Sequence, residues 1–312
     1  MSPTNYPGII NLHEDALLAV LATPNFRNLL RLRYTSTAMH RAVGEAVRYR
    51  VLSALSPFLT TPGSFLDVLG QSNAVVSGSC ALSVLLDSGF APKNLDIYVP
   101  EESLHILLRY LKGEYYSSSE ALPLDTKAYY TKYLTRQLRY TRPSNASSEH
   151  AVVQIHVTHT TSALLAVLTA DLSCLMNVIT AHGIMSLYPF LTFDHVAVPN
   201  IITGTSHRPP LGLCEGLSRH AGTFNSPRLL TYQIQRGFTI TNHLTIRQRV
   251  TIAGMRYLTD RHALHLPFHP ETVHVFDKEL EDIRWVYNNY SFNDGHWPGV
   301  ADFTHFEGGT RY

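Results

Sequence analysis

The chain is short of charge. Of its 312 residues only 16% are Asp, Glu, Lys or Arg, against roughly 25% in ordinary soluble domains. Neither sign predominates, because 25 basic side chains face 24 acidic ones. A formal net charge of +1 excludes a globally basic polyanion binder and an acidic-tail protein, leaving electrostatic recognition to local patches. Cysteine is scarce as well. Cys80, Cys174 and Cys214 lie far apart and form no Cys-x-x-Cys pair, which predicts reduced thiols in an intracellular, cytoplasmic or nuclear protein. The opening MSPTNYPGII has neither a basic start nor the apolar run of a secretion signal. No stretch approaches the ~18–20 apolar residues of a membrane span, so no membrane partner is expected. Without a secretion route, Asn145-Ala-Ser147 and Asn289-Tyr-Ser291 read as chance matches to the glycosylation pattern. A Gly-x-Ser-x-Gly elbow is also missing, which removes a nucleophilic hydrolase of that type. No internal repeat or low-complexity segment is present.

What the chain does have is a hydrophobic fraction of 45%, a globular value that excludes wholesale disorder. Its length suits about two domains of ordinary size. Residues 12–55 read as helical, broken at Pro24-Asn25, with Leu29, Leu30, Leu32, Met39 and Val43 at near-helical spacing and Arg27, Arg31, Arg33 and Arg41 on a solvated face. Thr60-Thr61-Pro62-Gly63 punctuates the chain and marks the first boundary. Beyond it, Ala74-Val75-Val76 is a short strand ending at Ser77-Gly78-Ser79, and residues 80–86 continue as a helix. Leu95 to Val99 is a strand stopped by Pro100, and Glu101 and Glu102 suit the positive end of the next helix. Residues 127–142 (KAYYTKYLTRQLRYTR) are basic and tyrosine-rich, with a strand expected in their C-terminal part. A second strand over 152–157 places Val153, Ile155 and Val157 on one face and Gln154 and His156 on the other. Past residue 200 the pattern becomes irregular. Residues 228–234 read as a helix turning into a strand at 236–240, residues 279–287 as a charged helix, and the end as a loosely held tail.

The chemistry concentrates at one place. A Gly78-Ser79 turn after a strand and before a helix presents free backbone N–H groups that suit a phosphate. Asn94 and Asp96, two apart on the next strand, share a face. Two oxygen ligands beside such a turn suit a Mg²⁺ held against a triphosphate. Val76-Ser77-Gly78-Ser79-Cys80-Ala81-Leu82, followed by Leu95-Asp96-Ile97-Tyr98-Val99, resembles the signature of the nucleotidyltransferase superfold. In that superfamily a Gly-Ser turn precedes an Asp-hydrophobic-Asp pair and a later strand supplies a third carboxylate. The arrangement is similar to an uncharacterised family of fungal proteins in which a degenerate F-box-like helical segment precedes a nucleotidyltransferase-like domain. That likeness extends over residues 152–158, 175–177 and 186–189, and thinly over 232–238 and 256–266, while residues 12–43 resemble the F-box pattern.

The resemblance implies an α+β fold: a nucleotidyltransferase-like mixed sheet flanked by helices over 61–200, a small helical F-box-like segment over 1–60, and a less regular α+β extension over 201–312. It assigns Asp96 and Asn94 to the catalytic positions, Gly78 and Ser79 to the nucleotide turn, and Asp96 to the metal. The chain departs from the pattern where charge is needed. Asn94 stands in place of the first acid, and the later strand offers Gln154 and His156. One carboxylate with a neutral amide holds Mg²⁺ poorly. The expectation is a non-catalytic module that binds a nucleotide or a protein, with no cofactor. Its alternatives are an active Mg²⁺- and NTP-dependent transferase built on Asp96, and a ubiquitin-ligase adaptor that recruits a protein partner through its N-terminal helices.

Competing readings attach to several residues. Ser79 also reads as a plain N-cap and Asp96 as a strand-end cap or pairing group. Cys80 reads as either an activated thiol at a helix start or a small buried side chain. Residues 127–142 suit a single-stranded nucleic-acid contact or a protected edge strand, the latter preferred, so nucleic acid is not an expected partner. His262, His265, His269 and His274 lack zinc-type spacing and read as structural.

Overall fold

The computed structural model describes residues 20–21, 25–86, 90–124, 133–143, 150–198 and 231–241, with shorter pieces at 244–245, 248, 255–257, 262–269 and 284–286. Helix α1 (Phe26–Arg33) starts at Asn25, whose side chain accepts from the Asn28 amide at 2.9 Å. Helix α2 (Thr37–Leu55) starts at Ser36, whose hydroxyl accepts from the Met39 amide at 3.1 Å. These two caps break the expected helical stretch twice, because each satisfies an orphan N–H of a new first turn. Pro62 opens α3 (Pro62–Gln71) at a position where its missing N–H is harmless. Strand β1 (Val75–Ser77) runs directly into α4 (Gly78–Leu85), and β2 (Leu95–Pro100) is followed by α5 (Leu104–Gly113).

Three strands come next: β3 (Ser118–Leu122), β4 (Leu134–Pro143) and β5 (His150–Thr158). After α6 (Leu164–Val167) the chain forms β6 (Asn177–Ile179), β7 (Gly183–Ser186), α7 (Pro189–Phe193) and β8 (Val196–Ala197). The remaining described strands are β9 (Thr239–Ile240), β10 (Met255–Tyr257), β11 (Leu264–Pro267) and β12 (Arg284–Val286). The main sheet has eight strands in the order β11-β7-β6-β1-β2-β5-β4-β3. Only β2 and β5 pair in parallel within it, the other neighbours being antiparallel. The fold class is therefore α+β, with helices flanking a mostly antiparallel sheet.

One buried cluster joins Phe26 and Leu29 of α1, Met39 to Leu55 of α2, Phe65 and Leu69 of α3 and Leu107 and Leu111 of α5 to Ile97, Val99, Val153, Ile155 and Val157 of the sheet. A second cluster on the other face packs Leu164 and Val167 with Met176, Met185, Tyr188 and Leu191. Strand β11, drawn from the region past residue 201, lies at one sheet edge and touches α2. A Cβ on Gly44 would stand 2.3 Å from the Phe268 carbonyl oxygen, and Arg33 Nη1 donates to the His265 carbonyl at 3.1 Å.

Two expectations change here. Strand β4 is not an edge, because β3 pairs with its outer side. The expected helix at 279–287 is extended at Arg284–Val286, paired antiparallel with Met255–Tyr257, in keeping with the strand preference of Trp285 and Val286. The described part of 228–240 is a single turn at Thr231–Gln235 before β9; residues 228–230 and the C-terminal tail lie outside the described residues.

Candidate functional site on the β2 face

Strand β1 ends against the start of α4, and the backbone there takes a conformation that favours glycine. Gly78 has φ +69°, the left-handed region disfavoured for residues with a Cβ. A Cβ at that position would also lie 2.7 Å from Asp96 Oδ2. Ser77 precedes the helix, yet its hydroxyl does not cap it; it donates to the carbonyls of Leu175 at 3.1 Å and Asn177 at 2.8 Å, tying the turn to β6. Ser79 is not the N-cap. It lies inside the first turn of α4 and is buried, because the helix already begins at Gly78.

Asp96 stands beside that turn, in register with Ser77. Asn94 and Asp96 do share a face, and they bind each other: Asn94 Nδ2 donates to Asp96 Oδ1 at 2.6 Å. His156 Nε2 approaches the same oxygen at 3.4 Å. On its far side, His156 Nδ1 lies 3.0 Å from Gln137 Nε2. With the Gln137 amide donating, Nδ1 accepts and Nε2 carries the hydrogen toward Asp96. Tyr98 stacks on the imidazole, with centroids 4.4 Å apart and rings 12° from parallel. The parallel register of β2 on β5, which sets Tyr98 opposite His156, produces that stack. The structure thus gathers Gly78, Asn94, Asp96 and His156, and adds Gln137 and Tyr98, which the sequence reading left out.

A Mg²⁺ ion demands several oxygen ligands with carboxylate charge among them. Here the convergent groups are one carboxylate, one imidazole and amides turned to donate, and Asp96 Oδ1 is already occupied by Asn94 and His156. This donor set does not suit Mg²⁺. Among the described residues no three His, Cys, Asp or Glu side chains converge as metal ligands.

Other candidates separate from this site. Cys80 is fully buried, and burial first, then the Asp96 charge, pushes its thiol well above the ordinary range. That overturns an activated thiol: its Sγ donates to the Ala54 carbonyl at 3.6 Å. His269 Nδ1 lies 3.1 Å from Glu45 Oε1, whereas His274 lies outside the described residues. Of the tyrosine-rich stretch, residues 127–132 lie outside the described residues, Tyr133 precedes β4, and β4 carries the rest. Among the described residues no helix is long and apolar enough to cross a membrane. Comparison with protein-family models, with curated proteins and with solved structures returns no match to the chain.

Proposed function

We propose that the chain is a nucleotide-binding module of nucleotidyltransferase-like fold, with a degraded metal site and no transferase role. The observation that carries this reading is the contact between the left-handed Gly78 turn and Asp96, in which a bare backbone stands where any side chain would collide with the carboxylate. A turn kept free of a side chain leaves room for the Asp96 carboxylate beside the backbone, which brings the polar groups of the turn and of β2 to one place. The exchange of carboxylates for Asn94, Gln154 and His156 supports binding without transfer, because phosphoryl chemistry relies on metal charge at the leaving group. The adaptor reading has less support. Phe26, Leu29, Met39, Val43 and Val47 of the N-terminal helices bury against the chain's own core, where a recruiting helix would keep such side chains for its partner.

A thermal-shift series with ATP, GTP, CTP and UTP, each with and without Mg²⁺, tests the module. A nucleotide at a hundred times its Kd is expected to add about 2.7 kcal/mol of stability. No shift with any of the four would remove the reading. Mg²⁺-dependent transfer of NMP from an NTP, lost in Asp96→Ala, would replace it with an active transferase.

A further inference from the structure

The face of β2, β5 and β4 turned away from the main core carries a regular grid. Register places Asp96 beside Gln154 and Gln154 beside Arg139; the next row is Tyr98, His156 and Gln137, and the row before is Val152 and Thr141, with Asn94 at the start of β2. The alternate positions Ile97, Ile155 and Leu138 point into the core. The Tyr98 row is closed over: His156 is 8% exposed, and Tyr133, Leu134 and Ala166 pack beside Tyr98. The Asp96 row is open, with Asp96 and Gln154 half-buried and Arg139 exposed. Arg139 is the one Lys or Arg of the grid.

Charge decides how a nucleotide would lie there. Asp96 Oδ1 takes the hydrogen bonds of Asn94 and His156 in place of a metal, and its carboxylate opposes a phosphate set at the Gly78 turn. The acceptor capacity that remains on the carboxylate suits sugar hydroxyls. Two strand spacings away, roughly 10 Å between Cα atoms, Arg139 offers a planar guanidinium fork that matches a phosphate. Gln154 lies between them with an amide that can donate or accept. Building on the nucleotide-module reading, we propose that this row binds a nucleoside diphosphate or triphosphate without a divalent cation: sugar at Asp96 and Asn94, phosphates over Gln154 at Arg139.

The test measures ADP and adenosine binding to the full chain in EDTA and in Mg²⁺, in the wild type, Arg139→Gln, Arg139→Lys and Glu120→Gln. Glu120 is included because it is the register partner of Arg139 on β3. The expected result is ADP binding of equal strength in both media. Arg139→Gln weakens it about tenfold or more, the scale of a hydrogen bond to a charged group, with adenosine affinity and the ligand-free unfolding midpoint unmoved. Arg139→Lys restores part of the loss and Glu120→Gln tightens ADP. Binding that requires Mg²⁺, or an ADP affinity unchanged in Arg139→Gln, overturns this proposal and leaves the module standing. Equal loss of ligand-free stability in Arg139→Gln and Glu120→Gln, with ADP unaffected, assigns the guanidinium to Glu120 and also overturns it. No binding of ADP or any nucleotide in either medium overturns both.

Discussion

Asp96 divides its two oxygens between separate places: Oδ1 receives Asn94 and His156, while Oδ2 stands where a Cβ on Gly78 would collide with it. The glycine is therefore constrained twice, by φ and by space, and the two constraints are separable. An alanine in the left-handed region costs about 1–2 kcal/mol, and a Cβ 2.7 Å from the Asp96 carboxylate adds a collision that the side chain relieves only by shifting away from Asn94 and His156. Gly78→Ala is expected to destabilise the protein by more than about 2 kcal/mol, measured from denaturant midpoints. In an Asp96→Ala background the collision is gone, and the same substitution is expected to cost only the backbone share, about 1–2 kcal/mol. Equal penalties in the two backgrounds would mean that the carboxylate does not press on the turn.

Strand β11 shows what an element takes from its surroundings. Its residues, LHLP, are two leucines on either side of one histidine, then a proline, in a stretch that reads as irregular, yet they complete one edge of the sheet by pairing with β7. The close fit to α2 at Gly44 fixes the strand's position, since the Phe268 carbonyl occupies the space of a side chain. Gly44→Ala should therefore push β11 away and destabilise by about 1–3 kcal/mol, with faster hydrogen exchange at β11 and β7 amides than elsewhere; unchanged protection there would refute the contact. The same contrast governs what can be read in advance. Residues 95–99 and 152–157 announce themselves through alternation and β-branched content, and they form the bodies of β2 and β5 with a burial that follows it. Ser118–Leu122 has no such residues and becomes a strand only because β4 offers a partner. At the site, Gly78, Asn94 and Asp96 are legible because two-residue and turn spacings are local. Gln137 and Tyr98 meet His156, and Arg139 joins the Asp96 row, only through the sheet order β2-β5-β4, and nothing in local spacing fixes that order.

At the scale of the whole molecule, a chain with few charges spends one of them at a junction. Glu114 ends α5 and is 3% exposed. Its carboxylate accepts from the Thr60 amide at 2.6 Å and the Thr60 hydroxyl, from the Thr61 amide at 3.0 Å and hydroxyl at 2.6 Å, and from Tyr110 at 3.0 Å. Arg142 of β4 pairs with it at 3.0 Å. The Thr60-Thr61 punctuation between α2 and α3 is thus bound to both α5 and the sheet through one side chain, across the same continuous core that joins the N-terminal helices to the strands. Burial by itself would raise the Glu114 pKa, but the side-chain and backbone hydrogen bonds of Thr60 and Thr61 outweigh it and hold the group at about 2, below its ordinary 4.5. A folded-state pKa below the unfolded one stabilises at pH values above the unfolded pKa, and the contribution disappears as pH falls through the folded value. The window is therefore about pH 5 down to 2, and the contribution at stake is about 3 kcal/mol. Urea midpoints of the wild type should fall across that window, and Glu114→Gln, which cannot take up a proton there, should show a shallower fall from a lower starting stability. The loss should reach probes in the N-terminal helices and in the sheet together, because one group ties both. A Glu114→Gln curve parallel to the wild type would show that the acid response originates elsewhere, and separate transitions for helices and sheet would break the claim that they unfold as one unit.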